Sequence, residues 1–174
     1  PPFLLQSLLS YIHCAHLFSK SDIYCYFENM IRSIIIDDEP MARKSLGQLL
    51  EKYFQDKAEV IDSCESIKQG VFSIYKNKPD LVFLDIEMPE ENGFKLFDYF
   101  KTIDFEVIFT TAFKNYLIDA IRVSALDYLL KPTNQIELRE ALKRAEKKKE
   151  DQDSQERIEN LLQQMNWGGD QYGK

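Results

Sequence analysis

The sequence predicts an α/β fold in which parallel strands alternate with helices. Short apolar runs recur along the chain, and each is followed by a segment whose apolar residues return at helical spacing. The run at 81–84 is continuously apolar, as expected of a strand covered on both faces, and it ends on Asp85 shortly before Pro89. Alternating strands and helices form parallel sheets with right-handed crossovers, so the carboxyl ends of the strands share one edge.

The first two units show the alternation clearly. A strand at 34–36 ends on Asp37 and Asp38, and a helix opens at Glu39-Pro40, because proline is tolerated in a first helical turn. A weaker strand follows at 60–61, and Ser66 is expected to cap a second helix that stops by 77–79. The spacing places one apolar face on the first helix, with Ala42, Leu46, Leu49, Leu50 and Tyr53. It predicts that the second helix buries Ile67, Val71, Ile74 and Tyr75.

Three further units complete the pattern. The third strand is the run at 81–84, and the segment 93–100 suggests a helix that buries Phe97 and Phe100. The fourth strand, at 107–109, ends on 110–112, and the fifth, at 125–130, ends on Lys131-Pro132. The spacing places Leu117, Ala120 and Ile121 on one side of a short fourth helix. A fifth helix, capped by Thr133 or Asn134, is expected to run through the apolar residues Ile136, Leu138, Ala141, Leu142 and Ala145.

The composition argues against direct nucleic-acid binding. Lys and Arg total 22 against 29 Asp and Glu, a net charge of −7, whereas neutralising phosphates needs clustered basic residues. The basic run 147–149 is followed at once by Glu150 and Asp151, which favours a solvated helix face. Three sparse cysteines, at positions 14, 25 and 64, fit a reduced cytoplasmic protein better than a disulfide framework.

Residues 1–29 differ in character from the rest. Their apolar segment is too short and too polar for a membrane helix, and it lacks the features of a signal peptide. Met30 leads directly into the first strand, so we expect residues 1–30 to be a non-native or poorly ordered extension. The alternative is an amphipathic helix that docks on the domain or on a partner. The intact mass of the protein from its native source distinguishes the two.

Five polar groups are expected to meet at the carboxyl edge of the sheet. The first strand delivers Asp37 and Asp38, the third Asp85, the fourth Thr111 and the fifth Lys131. Crowded carboxylates raise one another's pKa, and a bound divalent cation removes that cost. Carboxylate oxygens with room for water suit Mg²⁺, and a metal beside a lysine and a hydroxyl suits an anion such as a phosphoryl group.

Each of these residues also has a purely structural interpretation. An aspartate after a strand often serves as a helix cap or turn residue, and the pair at 37–38 would favour the amino end of the helix that follows. The Lys131-Pro132 pair is compatible with an ordinary turn, and Thr111 is a common strand residue. Only their joint placement on successive strands favours a site, in which Asp85 is the candidate nucleophile that forms an acyl phosphate.

Over residues 31–149 the chain resembles the receiver domain of two-component response regulators. The resemblance rests on five segments, namely 36–40 (IDDEP), 84–89 (LDIEMP), Gly93, 109–112 (FTTA) and 127–132 (DYLLKP). The sequences of the third, fourth and fifth segments are similar to those of the LytTR (LytR/AlgR) group of transcription regulators. The resemblance implies a flavodoxin-like (βα)5 fold, a doubly wound parallel sheet in strand order 2-1-3-4-5.

The family pattern also implies roles for individual residues. Asp85 matches the phosphoacceptor, and Mg²⁺ would be bound by Asp38, Asp85, the Glu87 backbone carbonyl and, directly or through water, Asp37. Thr111 matches the signalling hydroxyl because it precedes Ala112, whereas Thr110 should point to the opposite face. Tyr128 matches the switch aromatic, with a core aromatic that never moves as the alternative, and Lys131-Pro132 is expected to be cis. Glu87 and Phe113 occupy positions that tune hydrolysis, and we expect Phe113 to shield the acyl phosphate from water.

The resemblance implies a cognate sensor histidine kinase as phosphodonor and no enzymatic turnover beyond self-phosphorylation and self-dephosphorylation. Phosphorylation would change the surface formed by the fourth helix, the fifth strand and the fifth helix, which we call the output face. That surface is also the candidate homodimer contact. No membrane contact is expected.

Residues 150–174 are expected to be a linker toward a LytTR-type DNA-binding domain outside this chain, and DNA would be bound only through that domain. A stand-alone receiver that acts by protein–protein contacts is the alternative. A haloacid-dehalogenase-type hydrolase needs Asp-x-Asp after its first strand, whereas the candidate here, Asp85-Ile86-Glu87, follows the third.

Overall fold

The computed structural model describes residues 30–89, 91–113, 116 and 122–167, with side chains through residue 155. The chain separates into a unit of Pro1–Met30 and a unit of Ile31–Lys174, and the second contains every element below. The expected amino-terminal extension and the fourth helix, with Leu117, Ala120 and Ile121, lie outside the described residues. No helix in the described part of the chain is long and apolar enough to cross a membrane.

One sheet of five parallel strands forms the centre of the domain. Its strands are β1 (Ile31–Ile36), β2 (Ala58–Cys64), β3 (Leu81–Asp85), β4 (Glu106–Thr111) and β5 (Asp127–Leu130). Their order, β2-β1-β3-β4-β5, confirms the predicted topology. The second strand is longer than its apolar run because it pairs with β1 from Ala58 to Cys64, and backbone pairing continues through polar residues such as Asp62.

Two apolar cores cover the two faces of the sheet, because neighbouring residues of a strand point to opposite sides. Ile35 belongs to one core, and Ile34 and Ile36 belong to the other. The first core contains residues from α1 (Pro40–Tyr53) and α3 (Gln135–Trp167). The second contains residues from α2 (Ile67–Asn77) and from the 3₁₀ helix Gly93–Tyr99. The doubly wound fold is therefore confirmed.

The helix ends follow the capping signals in the sequence. The Ser66 side chain accepts a hydrogen bond from the Gln69 amide and caps α2, as predicted. At its other end, Lys78 takes the left-handed conformation before Pro79, at φ 47°. Asn134 rather than Thr133 caps α3, because its Oδ1 accepts hydrogen bonds from the amides of Ile136 and Glu137, at 3.0 and 2.9 Å.

One predicted buried position was wrong, and two residues of the other apolar helical faces are exposed. Tyr75 is 61% exposed, because its ring stacks on Phe100 at the domain surface and its hydroxyl donates to the Tyr99 carbonyl. Ile136 is 77% exposed, since it lies in the first turn of α3 before the buried stretch that begins at Leu138. Tyr53, the last residue of α1, is also exposed.

The segment 93–99 is a 3₁₀ helix, and it buries Leu96 fully. The predicted residues Phe97 and Phe100 are only partly buried against the second core.

The last helix runs without interruption past residue 149, to Trp167. Two ion pairs hold its middle to the edge of the sheet opposite the strands' carboxyl ends. Lys57 Nζ lies 2.6 Å from Glu146 Oε1, and Lys149 Nζ lies 2.9 Å from Asp80 Oδ2. The buried apolar residues of α3 end at Ala145, so these ion pairs extend its attachment by one turn.

Candidate functional site

The parallel sheet delivers the five candidate side chains to one edge. Ile36 is paired with Leu84, so Asp37 and Asp38 leave the sheet beside Asp85. Asp85 is in turn paired with Thr110, and Thr111 with Leu130, which precedes Lys131. The structure therefore brings together the residues that the sequence placed at this edge.

Three carboxylates form the centre of the site. One oxygen from each of Asp37, Asp38 and Asp85 lies within 4.8 Å of the other two. Asp37 and Asp85 are almost fully buried, at 2% and 4% exposure, and Asp38 is partly exposed. A cluster of hard oxygen donors with one open side fits the preference of Mg²⁺, so the donor set suits that ion.

Lys131 neutralises the two buried carboxylates. Its Nζ lies 2.7 Å from Asp37 Oδ2 and 3.0 Å from Asp85 Oδ2. Burial lowers the pKa of Lys131, but hydrogen bonds and charges of both aspartates outweigh burial, so its pKa lies above the ordinary value. The ammonium group therefore stays charged at the centre of the site.

Opposing effects act on the pKa of the Asp85 carboxyl group. Burial raises its pKa most, the Lys131 ammonium lowers it, the Asp37 carboxylate raises it and the Glu87 amide lowers it. The net pKa lies above the ordinary value of an aspartate. A further positive charge at the site would favour the ionised form of Asp85.

The cis peptide bond expected between Lys131 and Pro132 is present. The Lys131 amide donates to the Thr111 carbonyl at 2.8 Å, so β4 fixes the backbone that carries this lysine. Thr111 is fully buried, and its Oγ1 accepts a hydrogen bond from the Phe113 amide at 3.3 Å. The strand register places Thr111 opposite Leu130, at the same edge of the sheet as Asp85.

Tyr128 is partly buried against the second core, and its hydroxyl donates to the Phe113 carbonyl. Burial raises the pKa of Tyr128 above its ordinary value, and the nearby Tyr116 amide lowers it in part. The Phe113 side chain is 44% exposed.

Glu87 has two separate contacts. Its amide donates to Asp85 Oδ1 at 3.4 Å, and its carboxylate accepts a hydrogen bond from the Tyr116 hydroxyl at 2.9 Å.

Sequence reasoning missed two residues that shape the site. The Arg43 guanidinium donates to the backbone carbonyls of Asp37 and Asp38, at 2.5 and 3.1 Å, and so fixes the turn that carries both carboxylates. The sequence did contain a signal for Arg43, because a long side chain with hydrogen-bond donors in the first turn of α1 can reach back to the end of β1. The second missed residue is Tyr116.

Gly93 appears in the family pattern for a steric reason. Its amide donates to the Ile86 carbonyl at 2.8 Å, and a Cβ at this position would lie 2.1 Å from the Asp85 carbonyl oxygen. A side chain at position 93 would therefore displace the loop that follows Asp85.

A cleft of about 420 Å³ opens beside Asp38. It is lined by Asp38, Glu65, Ser66, Ile67, Gln69, Met88, Pro89 and Glu91. This cleft gives solvent and solutes access to the exposed side of the carboxylate cluster.

Comparison with known proteins gives consistent matches. The family model described as "Response regulator receiver domain" matches residues 34–143. The chain is 35% identical over 125 residues to the sensory transduction protein LytT of Bacillus anthracis, an alignment that covers 71% of this chain and 50% of LytT. It is 36% identical over 128 residues to the transcriptional regulatory protein BtsR of Escherichia coli K12, covering 71% and 52%. The chain thus spans about half the length of these curated relatives.

Solved structures agree with the sequence matches. The REC domain of AraT, a response regulator from Geobacillus stearothermophilus, superimposes with a TM-score of 0.63 at 26% identity, covering 71% of this chain and 98% of that one. A DNA-binding response regulator of the LuxR family from Staphylococcus aureus gives a TM-score of 0.61 at 26% identity, covering 67% and 99%.

Proposed function

Because this chain belongs to the response regulator receiver family, we propose that Asp85 accepts a phosphoryl group from a sensor histidine kinase in a Mg²⁺-dependent reaction. The observation that carries the proposal is the position of Asp85 between Asp37, Asp38 and Lys131 at the carboxyl edge of the sheet. In open α/β sheets, ligands bind at this edge.

The transfer is a displacement at phosphorus. A carboxylate oxygen of Asp85 attacks the phosphorus of a phosphohistidine and forms the oxygen–phosphorus bond of an acyl phosphate. The bond between phosphorus and the histidine nitrogen breaks, and the nitrogen keeps the electron pair and takes up a proton. Lys131 favours this attack because its ammonium lowers the pKa of Asp85 against the effect of burial.

Receiver domains bind Mg²⁺ in an acidic pocket, and the residues here fit that ion. We assign Asp38, Asp85 and the Glu87 backbone carbonyl as its ligands, with Asp37 bound directly or through water. When bound, Mg²⁺ neutralises charge on the phosphoryl oxygens.

Lys131 and Thr111 would hold the phosphoryl group once it is attached. Lys131 Nζ already contacts the Asp85 carboxylate, and Thr111 is the last residue of β4, the strand paired with β3. A hydroxyl that donates to the phosphoryl group links the modification to the backbone of β4, and the Thr111 carbonyl in turn holds the Lys131 amide.

Tyr128 connects this site to the output face. Its hydroxyl holds the Phe113 carbonyl, two residues beyond Thr111, so a displacement of Thr111 is transmitted to this bond. We propose that phosphorylation alters the output face through Tyr128 and so favours a partner or a homodimer. Glu87 and Phe113 are assigned to tuning of acyl-phosphate hydrolysis.

The relatives point to gene regulation as the outcome. LytT is named a sensory transduction protein and BtsR a transcriptional regulatory protein, and about half of each lies outside the match. We propose that residues 31–149 are the receiver of a cytoplasmic LytTR-type transcription regulator. Residues 150–174 would lead to a DNA-binding domain that alone contacts DNA.

The test is phosphorylation of the full chain with acetyl phosphate and Mg²⁺, followed by intact mass. We expect one phosphoryl group per chain in the wild type, and none in Asp85→Asn or after chelation of Mg²⁺. The phosphoryl group should reach one per chain, since a receiver hydrolyses only its own acyl phosphate and does not turn over added phosphate esters. Unmodified wild-type protein, or sustained turnover of added phosphate esters, would refute the proposal.

A further inference from the structure

Tyr116 links the segment that follows β4 to the loop that follows β3. Its hydroxyl donates to Glu87 Oε1 at 2.9 Å, and Glu87 lies in the loop after β3. Tyr116 itself lies in the segment after β4, 29 residues further along the chain. Its ring packs against the second core, with its centroid 6.4 Å from that of Phe94. The ring and the hydroxyl of Tyr116 therefore have separate contacts.

A second tyrosine hydroxyl binds Phe113, three residues before Tyr116. Tyr128, on β5, donates its hydroxyl to the Phe113 carbonyl. The Phe113 amide donates to Thr111 Oγ1, and the Glu87 amide donates to Asp85 Oδ1. The Phe113 carbonyl is thus held by a side chain of β5, and the Tyr116 hydroxyl by the side chain of Glu87.

We propose that Tyr116 is a positioning residue that slows hydrolysis of the acyl phosphate at Asp85 through its hydrogen bond to Glu87. The inference rests on the proposed function. In the hydrolysis, a water oxygen attacks phosphorus and the bond between phosphorus and the Asp85 oxygen breaks. The products are the free Asp85 carboxylate and dihydrogen phosphate, which carries the oxygen and both protons of the water before it equilibrates with solvent.

The physical reason is access of water. Glu87 follows Asp85 by two residues, and Phe113 follows Thr111, on the neighbouring strand, by two, so both would lie near an acyl phosphate on Asp85. The Phe113 side chain is 44% exposed. While the phenol–carboxylate bond is made, the two loops cannot separate without breaking it. The bond is at the surface and involves a charged acceptor, so its loss is expected to accelerate decay by about two- to tenfold.

The experiment measures decay of the phosphorylated full chain after removal of acetyl phosphate. Tyr116→Phe keeps the ring and its contact with Phe94, and removes only the hydroxyl. Glu87→Met removes the acceptor, whereas Glu87→Gln keeps an acceptor oxygen. Tyr99→Phe is the matched control, because the Tyr99 hydroxyl donates to Glu91 Oε1 at 3.0 Å in the same exposed setting. None of these changes removes the Glu87 backbone carbonyl.

We expect Tyr116→Phe and Glu87→Met to decay faster than the wild type by similar factors, and the double variant to decay no faster than either. Glu87→Gln, which keeps an acceptor oxygen but loses the charge, should decay at a rate between those of the wild type and Glu87→Met, and Tyr99→Phe should match the wild type. Wild-type decay of Tyr116→Phe, or accelerations that multiply in the double variant, would overturn the inference and leave the phosphoacceptor role intact. Failure of every variant and of the wild type to become phosphorylated would refute the proposed function itself.

Discussion

Replacement of Lys131 by methionine tests whether this ammonium group and a divalent cation compete for the same carboxylates. Lys131 Nζ lies 2.7 Å from Asp37 Oδ2 and 3.0 Å from Asp85 Oδ2, and the lysine side chain is 18% exposed. Methionine preserves most of the apolar stem and removes the charge. The variant therefore leaves two almost fully buried carboxylates without their shared cation.

The expected magnitudes follow from the spacing of the charges. The carboxylate oxygens lie within 4.8 Å of one another, which corresponds to a repulsion of about 1 to 3.5 kcal/mol between water-like and protein-like screening. Without metal, Lys131→Met should lose stability of that order. At an assumed separation of about 4 to 5 Å, a unit positive charge and a divalent cation would repel each other by roughly 2 kcal/mol in a water-like medium. Removal of the ammonium group should therefore tighten Mg²⁺ binding by about ten- to thirtyfold.

Calorimetric titration with MgCl₂ measures the affinity, and denaturant unfolding in chelator measures the stability. Lys57→Met is the matched control, because it removes a lysine from a more exposed ion pair with Glu146, 2.6 Å long, outside the carboxylate cluster. That control should lose no more than about 1 kcal/mol and leave Mg²⁺ affinity unchanged. Equal or weaker Mg²⁺ binding by Lys131→Met would refute the idea that the lysine and the metal share these oxygens.

Three further predictions concern stability. In metal-free buffer Asp85→Asn should have a higher melting temperature than the wild type, and this difference should widen as pH rises. Burial raises the pKa of Asp85, so its ionised form destabilises the folded protein at pH values above the ordinary aspartate pKa. A difference in melting temperature that closes with rising pH would contradict this prediction. Leu138→Ala removes a fully buried side chain from the first core and should cost about 2–5 kcal/mol in denaturant unfolding, so a loss below 1 kcal/mol would contradict the packing. Asn134→Ala should cost about 1 kcal/mol in the same assay, and Thr133→Ala should cost little, since Asn134 holds the amides that open α3.

The sheet and the placement of its polar residues were predictable because both depend on local pattern. A buried strand needs a short apolar run, and parallel strands bring their carboxyl ends to one edge. Asp37, Asp85 and Lys131 could therefore be assigned to one site before any distance was known. The distances themselves, and the sharing of Lys131 between two carboxylates, depend on side-chain packing that periodicity does not encode.

Other features depend on contacts between distant segments. Tyr75 occupies a helical position that periodicity assigns to the core, but its ring is covered by Phe100 at the surface instead. The bond between Tyr116 and Glu87 depends on the path of a loop, for which the sequence carries no periodic signal.

The last helix shows the limit of apolar periodicity. Its apolar face disappears from Glu146 to Arg157, yet the helix continues through these residues. The segment is rich in Lys, Glu and Gln, which have high helix propensity and form stabilising pairs three or four residues apart. Helix propensity, rather than burial, accounts for the helix across residues 147–155, whose side chains are exposed or only partly buried.

The most direct test of the account is to locate the phosphoryl group after treatment with acetyl phosphate and Mg²⁺. Peptide mapping under conditions that preserve acyl phosphates would identify the modified residue. If Asp85 is the phosphoacceptor, the map will contain a single modified peptide, with the phosphoryl group on Asp85. A phosphoryl group on any other residue, including Asp37 or Asp38, would contradict it.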